Sequence, residues 1–179
     1  VGIAFDGDGD RLVMADAQGR LLDGNAILAI LGVDYLKRGI LGNNTLVTTV
    51  MSNVGLELAL RSFGGKVVRT GVGDRTVSDT LKKEGSNLGG EPSGHILLTD
   101  YNVTGDAMIA ALQLLAIMIR LDQPLSELGK IYQPLPEQHG KVTYEGKAKL
   151  TEEELNNIAN TAEKELNGDG KVVIRYSGT

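Results

Sequence analysis

Through its first 120 residues the sequence alternates short apolar runs with longer stretches of helical periodicity. That alternation restricts the fold to layered α/β architectures in which crossover helices join strands. Val1 to Phe5 and Leu12 to Asp16 read as strands flanking an Asp/Gly turn, and Asp23 can cap a helix over Asn25 to Lys37 that stops at Gly39. Thr45 to Val50, rich in β-branched residues, is the next strand. Asn53 to Phe63 is then helical, with Gly64-Gly65 as its stop, and Lys66 to Thr70 is a strand leading into Gly71-Val72-Gly73-Asp74-Arg75, which opens another helix. The segment Gly89-Gly90-Glu91-Pro92-Ser93-Gly94-His95 lies between Asn87-Leu88 and the apolar strand Ile96 to Leu98, and Thr104 is placed to cap the long helix that follows.

After Tyr132 the texture changes. Gln133-Pro134-Leu135-Pro136 reads as a linker, and a second, partial α+β domain is expected from about Gln138. It should hold a strand at Lys141 to Tyr144, a capped helix from Thr151 and a strand at Lys171 to Ile174. The polar clusters fall where strands of the first domain end, which is where open α/β sheets bind ligands.

Bulk composition excludes several classes of function. A net charge of −5 with scattered Lys and Arg leaves no footprint for nucleic acid or a membrane surface. The absence of cysteine removes disulfides, zinc-thiolate sites and thiol nucleophiles, and makes the cytoplasm the default compartment. Ala107 to Leu121 is interrupted by Gln113 and Arg120 and falls short of the roughly 20 residues a membrane crossing needs, so it reads as a core helix. The chain begins inside a strand-like run and stops after a polar turn, which leads us to expect a fragment.

Asp6-Gly7-Asp8-Gly9-Asp10-Arg11 sets three carboxylates at alternate positions, with glycines that let the backbone curl and the oxygens converge. At about 4 Å and an effective dielectric near 20, each like-charge pair costs on the order of 4 kcal/mol, so convergence demands a cation or protonation. Carboxylate oxygens without His or Cys favour Mg²⁺ and leave coordination positions for phosphate or water. A solvated Asp/Gly turn is the plainer alternative, disfavoured by strict alternation directly after an apolar strand. An EF-hand fails because Arg11 stands where Gly is needed and Ala17 where Glu is needed. The strand-Asp-x-Asp motif of haloacid-dehalogenase-like phosphatases fits poorly, since Asp10 would repel an incoming phosphate.

Glu91-Pro92-Ser93-Gly94-His95 offers a carboxylate, a hydroxyl and an imidazole, the mixture that vicinal sugar hydroxyls need. His95 could move the proton of an attacking hydroxyl or could simply pack at a strand start; both readings stay open. His139, beside Gly140 at a linker end, reads as structural or exposed. Arg175-Tyr176-Ser177-Gly178-Thr179 joins a guanidinium fork, the two aliphatic hydroxyls of Ser177 and Thr179 and a glycine able to expose backbone N–H groups, which suits a phosphate dianion. Gly71 to Arg75 is either a further anion site or an ordinary turn and helix cap.

The order Asp-Gly-Asp-Gly-Asp-Arg, Gly-Glu-Pro-Ser-Gly-His, Arg-Tyr-Ser-Gly-Thr resembles that of the α-D-phosphohexomutase superfamily. Val72 to Arg75, Leu88 to Glu91 and Asp100 to Asp106 look in particular like its glucosamine-phosphate branch, with glucose and mannose variants as the alternatives. The resemblance implies a mixed β-sheet layered between helices. It assigns residues 1–15 to the end of a second domain with the metal loop, 16–132 to the third domain with the sugar loop, and 138–179 to part of the fourth. It further implies a Mg²⁺-dependent interconversion of glucosamine 6-phosphate and glucosamine 1-phosphate, through a bisphosphorylated sugar and a phosphoserine. By the same resemblance Asp6, Asp8 and Asp10 would hold Mg²⁺, Glu91 and Ser93 would grip the sugar, and His95 and Arg11 would assist transfer. Arg175, Ser177, Gly178 and Thr179 would anchor the phosphate of a hexosamine phosphate.

The sequence departs from that pattern in three places. The Ser-His-Asn-Pro nucleophile segment is absent, Pro92 stands where Gln is usual, and Tyr176 stands where Pro is common. Two expectations follow: an enzyme fragment that needs N-terminal domains of its own polypeptide to turn over, or a non-catalytic sugar-phosphate-binding module.

Overall fold

A computed structural model describes residues 1–143, 149–166 and 170–176. The described residues divide into two compact units, Val1–Leu135 and Pro136–Thr179.

The first unit opens with an antiparallel meander of β1 (Gly2–Phe5), β2 (Leu12–Ala15) and β3 (Leu21–Leu22). The short β3 was not foreseen. Helix α1 (Gly24–Lys37) follows, then β4 (Thr45–Thr49), α2 (Val54–Arg61), β5 (Lys66–Thr70), α3 (Asp74–Glu84), β6 (Leu88–Gly90), β7 (Ile96–Leu98), α4 (Ala107–Leu121) and the short α5 (Leu125–Leu128). The second sheet has the order β5-β4-β6-β7. Its β4 runs parallel to both β5 and β6, while β7 is antiparallel to β6. This is the layered α/β architecture that the alternation predicted, with the mixed sheet that the resemblance implied; each parallel pairing requires a crossover, and α2 and α3 supply them.

Residue parity decides which helix each strand meets. Leu46, Leu88, Ile96 and Leu98 join α1, α2 and α4 in the larger core, while Val47 and Leu97 join Val77 and Leu81 of α3 on the opposite face. Leu12 and Met14 of β2 also enter the larger core, which fastens the meander to it. Gly89 is needed on the α3 side: a Cβ there would lie 2.7 Å from the Val47 carbonyl oxygen and 3.2 Å from both Leu81 methyl groups.

Helix α1 is buried at every position from Gly24 to Tyr35, so it is a central core helix and not an amphipathic surface one. Its buried Asp34 is paired with Arg38 and Arg120, as a charge in that position must be. Asp106, not Thr104, caps α4, its carboxylate accepting the Ile109 amide at 2.9 Å. Among the described residues no single helix is long and apolar enough to cross a membrane.

The second unit is built on α6 (Glu152–Glu165), which Thr151 and Glu154 close with a reciprocal capping box. The strand expected at Lys171 to Ile174 does not form: residues 171–176 carry no ladder, and Val172 instead donates its amide to Glu163 Oε1 at 2.9 Å. Residues 141–143 are likewise irregular, and Tyr144 lies outside the described residues.

Candidate functional site

Two loops meet at one end of the first unit. The acidic loop leaves β1 and returns into β2, and the loop of residues 91–95 joins β6 to β7. They are stitched together by backbone: Leu12 donates its amide to the Gly94 carbonyl at 3.0 Å, and Arg11 and His95 form an antiparallel bridge. Gly94 must be glycine here, with φ +93° and a would-be Cβ only 2.2 Å from the Leu12 carbonyl oxygen. The acidic loop is tied at a second point, where Ala107 at the start of α4 donates to the Gly9 carbonyl at 3.1 Å.

The carboxylates of Asp6, Asp8 and Asp10 converge as the alternation predicted. One oxygen from each lies within 4.8 Å of the others. Arg11 closes the turn, its amide donating to Asp6 Oδ1 at 3.1 Å and its guanidinium Nε standing 3.8 Å from Asp6 Oδ2 and 3.9 Å from Asp10 Oδ1. Partial burial pushes the Asp6 carboxyl up. The Arg11 amide, which donates to it, and the Arg11 guanidinium outweigh this and hold Asp6 below the usual carboxylate range. Asp10 Oδ1 is buried and has no hydrogen-bond partner among the described residues. An orphaned, buried carboxylate oxygen in a ring of carboxylates fits a hard divalent cation, and nothing in the donor set favours a soft one.

His95 is buried, and its Nδ1 lies 3.0 Å from Asp10 Oδ2. Its Nε2 faces Asp74 Oδ2 at 3.9 Å, so Asp10, Asp74 and His95 form a second convergent group that shares Asp10 with the first. Asp74 opens α3, whose N-cap Gly73 donates its amide to Glu91 Oε1 at 3.0 Å. Gly71 to Arg75 therefore borders the 91–95 loop, with Arg75 almost wholly exposed. Ser93 is exposed.

Sequence reasoning missed the floor of the site. Gly24, the first residue of α1, donates its amide to the Pro92 carbonyl at 3.0 Å, and a Cβ there would lie 2.0 Å from the Glu91 carbonyl oxygen. Gly105 passes so close to His95 that a Cβ would meet ring atoms at 2.4, 2.5 and 2.8 Å. Only the density of glycines around the motifs hinted at these approaches. In the second unit Arg175 is exposed, whereas Ser177, Gly178 and Thr179 lie outside the described residues.

Fold and loops define an α/β unit that presents a carboxylate nest and a polar, imidazole-bearing loop as one surface. The chain belongs to the phosphoglucomutase/phosphomannomutase family, whose α/β/α domain III profile matches residues 23–135. It is 48% identical over its whole length to phosphoglucosamine mutase of Syntrophotalea carbinolica and 46% identical to that of Citrifermentans bemidjiense. It spans 39% and 40% of those relatives, about two fifths of their length. A phosphoglucomutase/phosphomannomutase family protein from Burkholderia thailandensis superposes on 74% of the chain, itself covered to 29%, with a TM-score of 0.66 and 27% identity. The Aspergillus fumigatus N-acetylphosphoglucosamine mutase, crystallised with GlcNAc-6P and magnesium, shares the fold over 75% of the chain and 36% of its own, with a TM-score of 0.58 and 24% identity.

Proposed function

We propose that this chain is the metal- and sugar-binding part of a phosphoglucosamine mutase, a Mg²⁺-dependent isomerase that interconverts glucosamine 6-phosphate and glucosamine 1-phosphate. The observation that carries this reading is the meeting of the carboxylate nest with the 91–95 loop through the Asp10 to His95 hydrogen bond of 3.0 Å. Similarity over the whole of this chain to two fifths of bacterial enzymes of that name supports the choice of sugar.

Asp6, Asp8 and Asp10 would hold the Mg²⁺, which when bound neutralises charge on a transferring phosphoryl group. Arg11, its side chain more than half exposed, reaches from the nest toward the same phosphoryl oxygens. Glu91 keeps one oxygen on the Gly73 amide and turns the other to sugar hydroxyls, where Ser93 both donates and accepts. Because Asp10 accepts from Nδ1–H, the His95 lone pair sits on Nε2 and takes the proton of the attacking hydroxyl there. Arg175, with Ser177, Gly178 and Thr179, anchors the phosphate that does not react. The phosphoserine comes from preceding domains of the same polypeptide, so the chain alone binds but does not turn over. The cysteine-free composition accords with a cytoplasmic setting.

Steady-state rates of the full-length protein on glucosamine 6-phosphate, glucose 6-phosphate and mannose 6-phosphate test the assignment. A preference of about a hundredfold for glucose or mannose phosphate would move it to another branch, since hydroxyl and amine contacts set such ratios. A complete protein without a serine nucleophile segment would favour the binding-module reading instead.

A further inference from the structure

We infer that His95 is a positioning residue for cation binding: through its Nδ1–H it holds Asp10 so that Oδ1 faces the nest, and Gly105 is the wall that fixes the imidazole. The inference rests on the reading that Asp6, Asp8 and Asp10 take a divalent cation.

An ionised carboxylate has no proton to give, so the contact of 3.0 Å requires Nδ1 to be the donor and Asp10 Oδ2 the acceptor. Rotating the Asp10 carboxylate would break that bond. Its other oxygen is thereby fixed, buried and without a hydrogen bond among the described residues, with Arg11 Nε 3.9 Å away. The imidazole itself has little freedom. Glu91 donates its amide to the His95 carbonyl at 2.9 Å, Asp106 donates to the Ile96 carbonyl at 3.3 Å, and the ring is 7% exposed.

Gly105 completes the confinement. A methyl group there would lie 2.4 Å from Cε1, 2.5 Å from Nε2 and 2.8 Å from Nδ1, so the ring lies against bare backbone and any side chain would push it away from Asp10. Nε2 does not compete for orientation, because Asp74 Oδ2 at 3.9 Å is beyond hydrogen-bond reach. The nest and the 91–95 loop thus share one carboxylate, that of Asp10. Groups that orient a ligand from outside the coordination shell change metal affinity by roughly 10- to 100-fold when removed.

The test uses the 179-residue chain with Mn²⁺ as a probe visible by electron paramagnetic resonance and Mg²⁺ as competitor. The wild type should bind, and Asp8→Asn should bind much more weakly. His95→Ala should lose roughly 10- to 100-fold in affinity, Gly105→Ala should move in the same direction, and His139→Ala should match the wild type. His95→Asn, whose amide can still donate to Asp10, should recover most of the loss. Far-UV circular dichroism confirms folding of each variant, and if His95→Ala does not fold, the Gly105→Ala and His95→Asn pair decides.

Wild-type affinity in Gly105→Ala and His95→Ala, alongside a weakened Asp8→Asn, would leave the nest standing and remove the positioning role. Imidazole nitrogen coupling in the Mn²⁺ spectrum would make His95 a direct ligand and overturn it as well. A wild type no better than Asp8→Asn would remove the nest and the inference together.

Discussion

Replacing Gly24 with alanine adds one methyl group at the point where α1 carries the 91–95 loop. The new Cβ would stand 2.0 Å from the Glu91 carbonyl oxygen, 2.8 Å from the Gly94 nitrogen and 2.9 Å from the Pro92 carbonyl carbon. All are backbone atoms, so no side chain can swing aside; either the loop or the helix terminus must move. Against backbone this close, overpacking costs about 2–3 kcal/mol, the upper part of its usual range, and the better helix propensity of alanine returns about 1 kcal/mol. A net loss of about 1–2 kcal/mol, divided by a typical urea slope of about 2 kcal/mol/M, lowers the midpoint by roughly 0.5–1 M. Equilibrium urea unfolding followed by circular dichroism measures it. Gly71→Ala is the control, because nothing lies within 4 Å of its would-be Cβ, and its midpoint should stay put. A Gly24→Ala midpoint equal to the wild type would refute the claim that the α1 terminus forms the floor of the loop.

Leu81→Ala empties the small cluster between α3 and the sheet, where Leu81 is fully buried, and should cost about 2–5 kcal/mol by the same urea assay. Thr48→Val removes a buried hydroxyl that donates to the Gly90 carbonyl at 2.8 Å and lies 2.5 Å from the Ser52 hydroxyl, a loss of about 1–3 kcal/mol. The Thr151 amide and hydroxyl hold Glu154 below its ordinary range of 4.5 against a weaker burial effect. A depressed carboxyl contributes above its unfolded pKa and loses that contribution as pH falls through the folded value, so the start of α6 should fray in acid, below about pH 4.5. Helicity of a Thr151→Ala chain should be lower at neutral pH and fall less in acid.

The longer elements of the first unit were legible because they announce themselves locally, whereas the short β3 and α5 did not. The strand at Lys66–Thr70 lies where its β-branched run places it, and Asn53, with its carboxamide accepting the Gly55 amide at 2.8 Å, begins α2 as a cap should. Thr104 and Asp106 are both good capping types two residues apart, and only the tertiary path of the chain into α4 chooses between them. The second unit misled because Lys171 to Ile174 has strand composition but no partner among the described residues, and a strand exists only by pairing. In the site, the acidic convergence follows from spacing alone. The Asp10 to His95 bond joins residues 85 apart, and no local pattern reports a contact that the Arg11 to His95 bridge between distant segments creates. The close approach at Gly94 was readable from its motif, but the glycines at 24 and 105 were silent, since their purpose is to leave room for something far away in sequence.

The backbone bonds from Leu12 to Gly94 and from Ala107 to Gly9 have a mechanical corollary. Tied at both places to the same scaffold, the acidic turn and the 91–95 turn are held beside each other. They keep their spacing as jaws cast in a single piece would. On the proposed function, closing on a substrate would then fall to parts of the polypeptide other than this face.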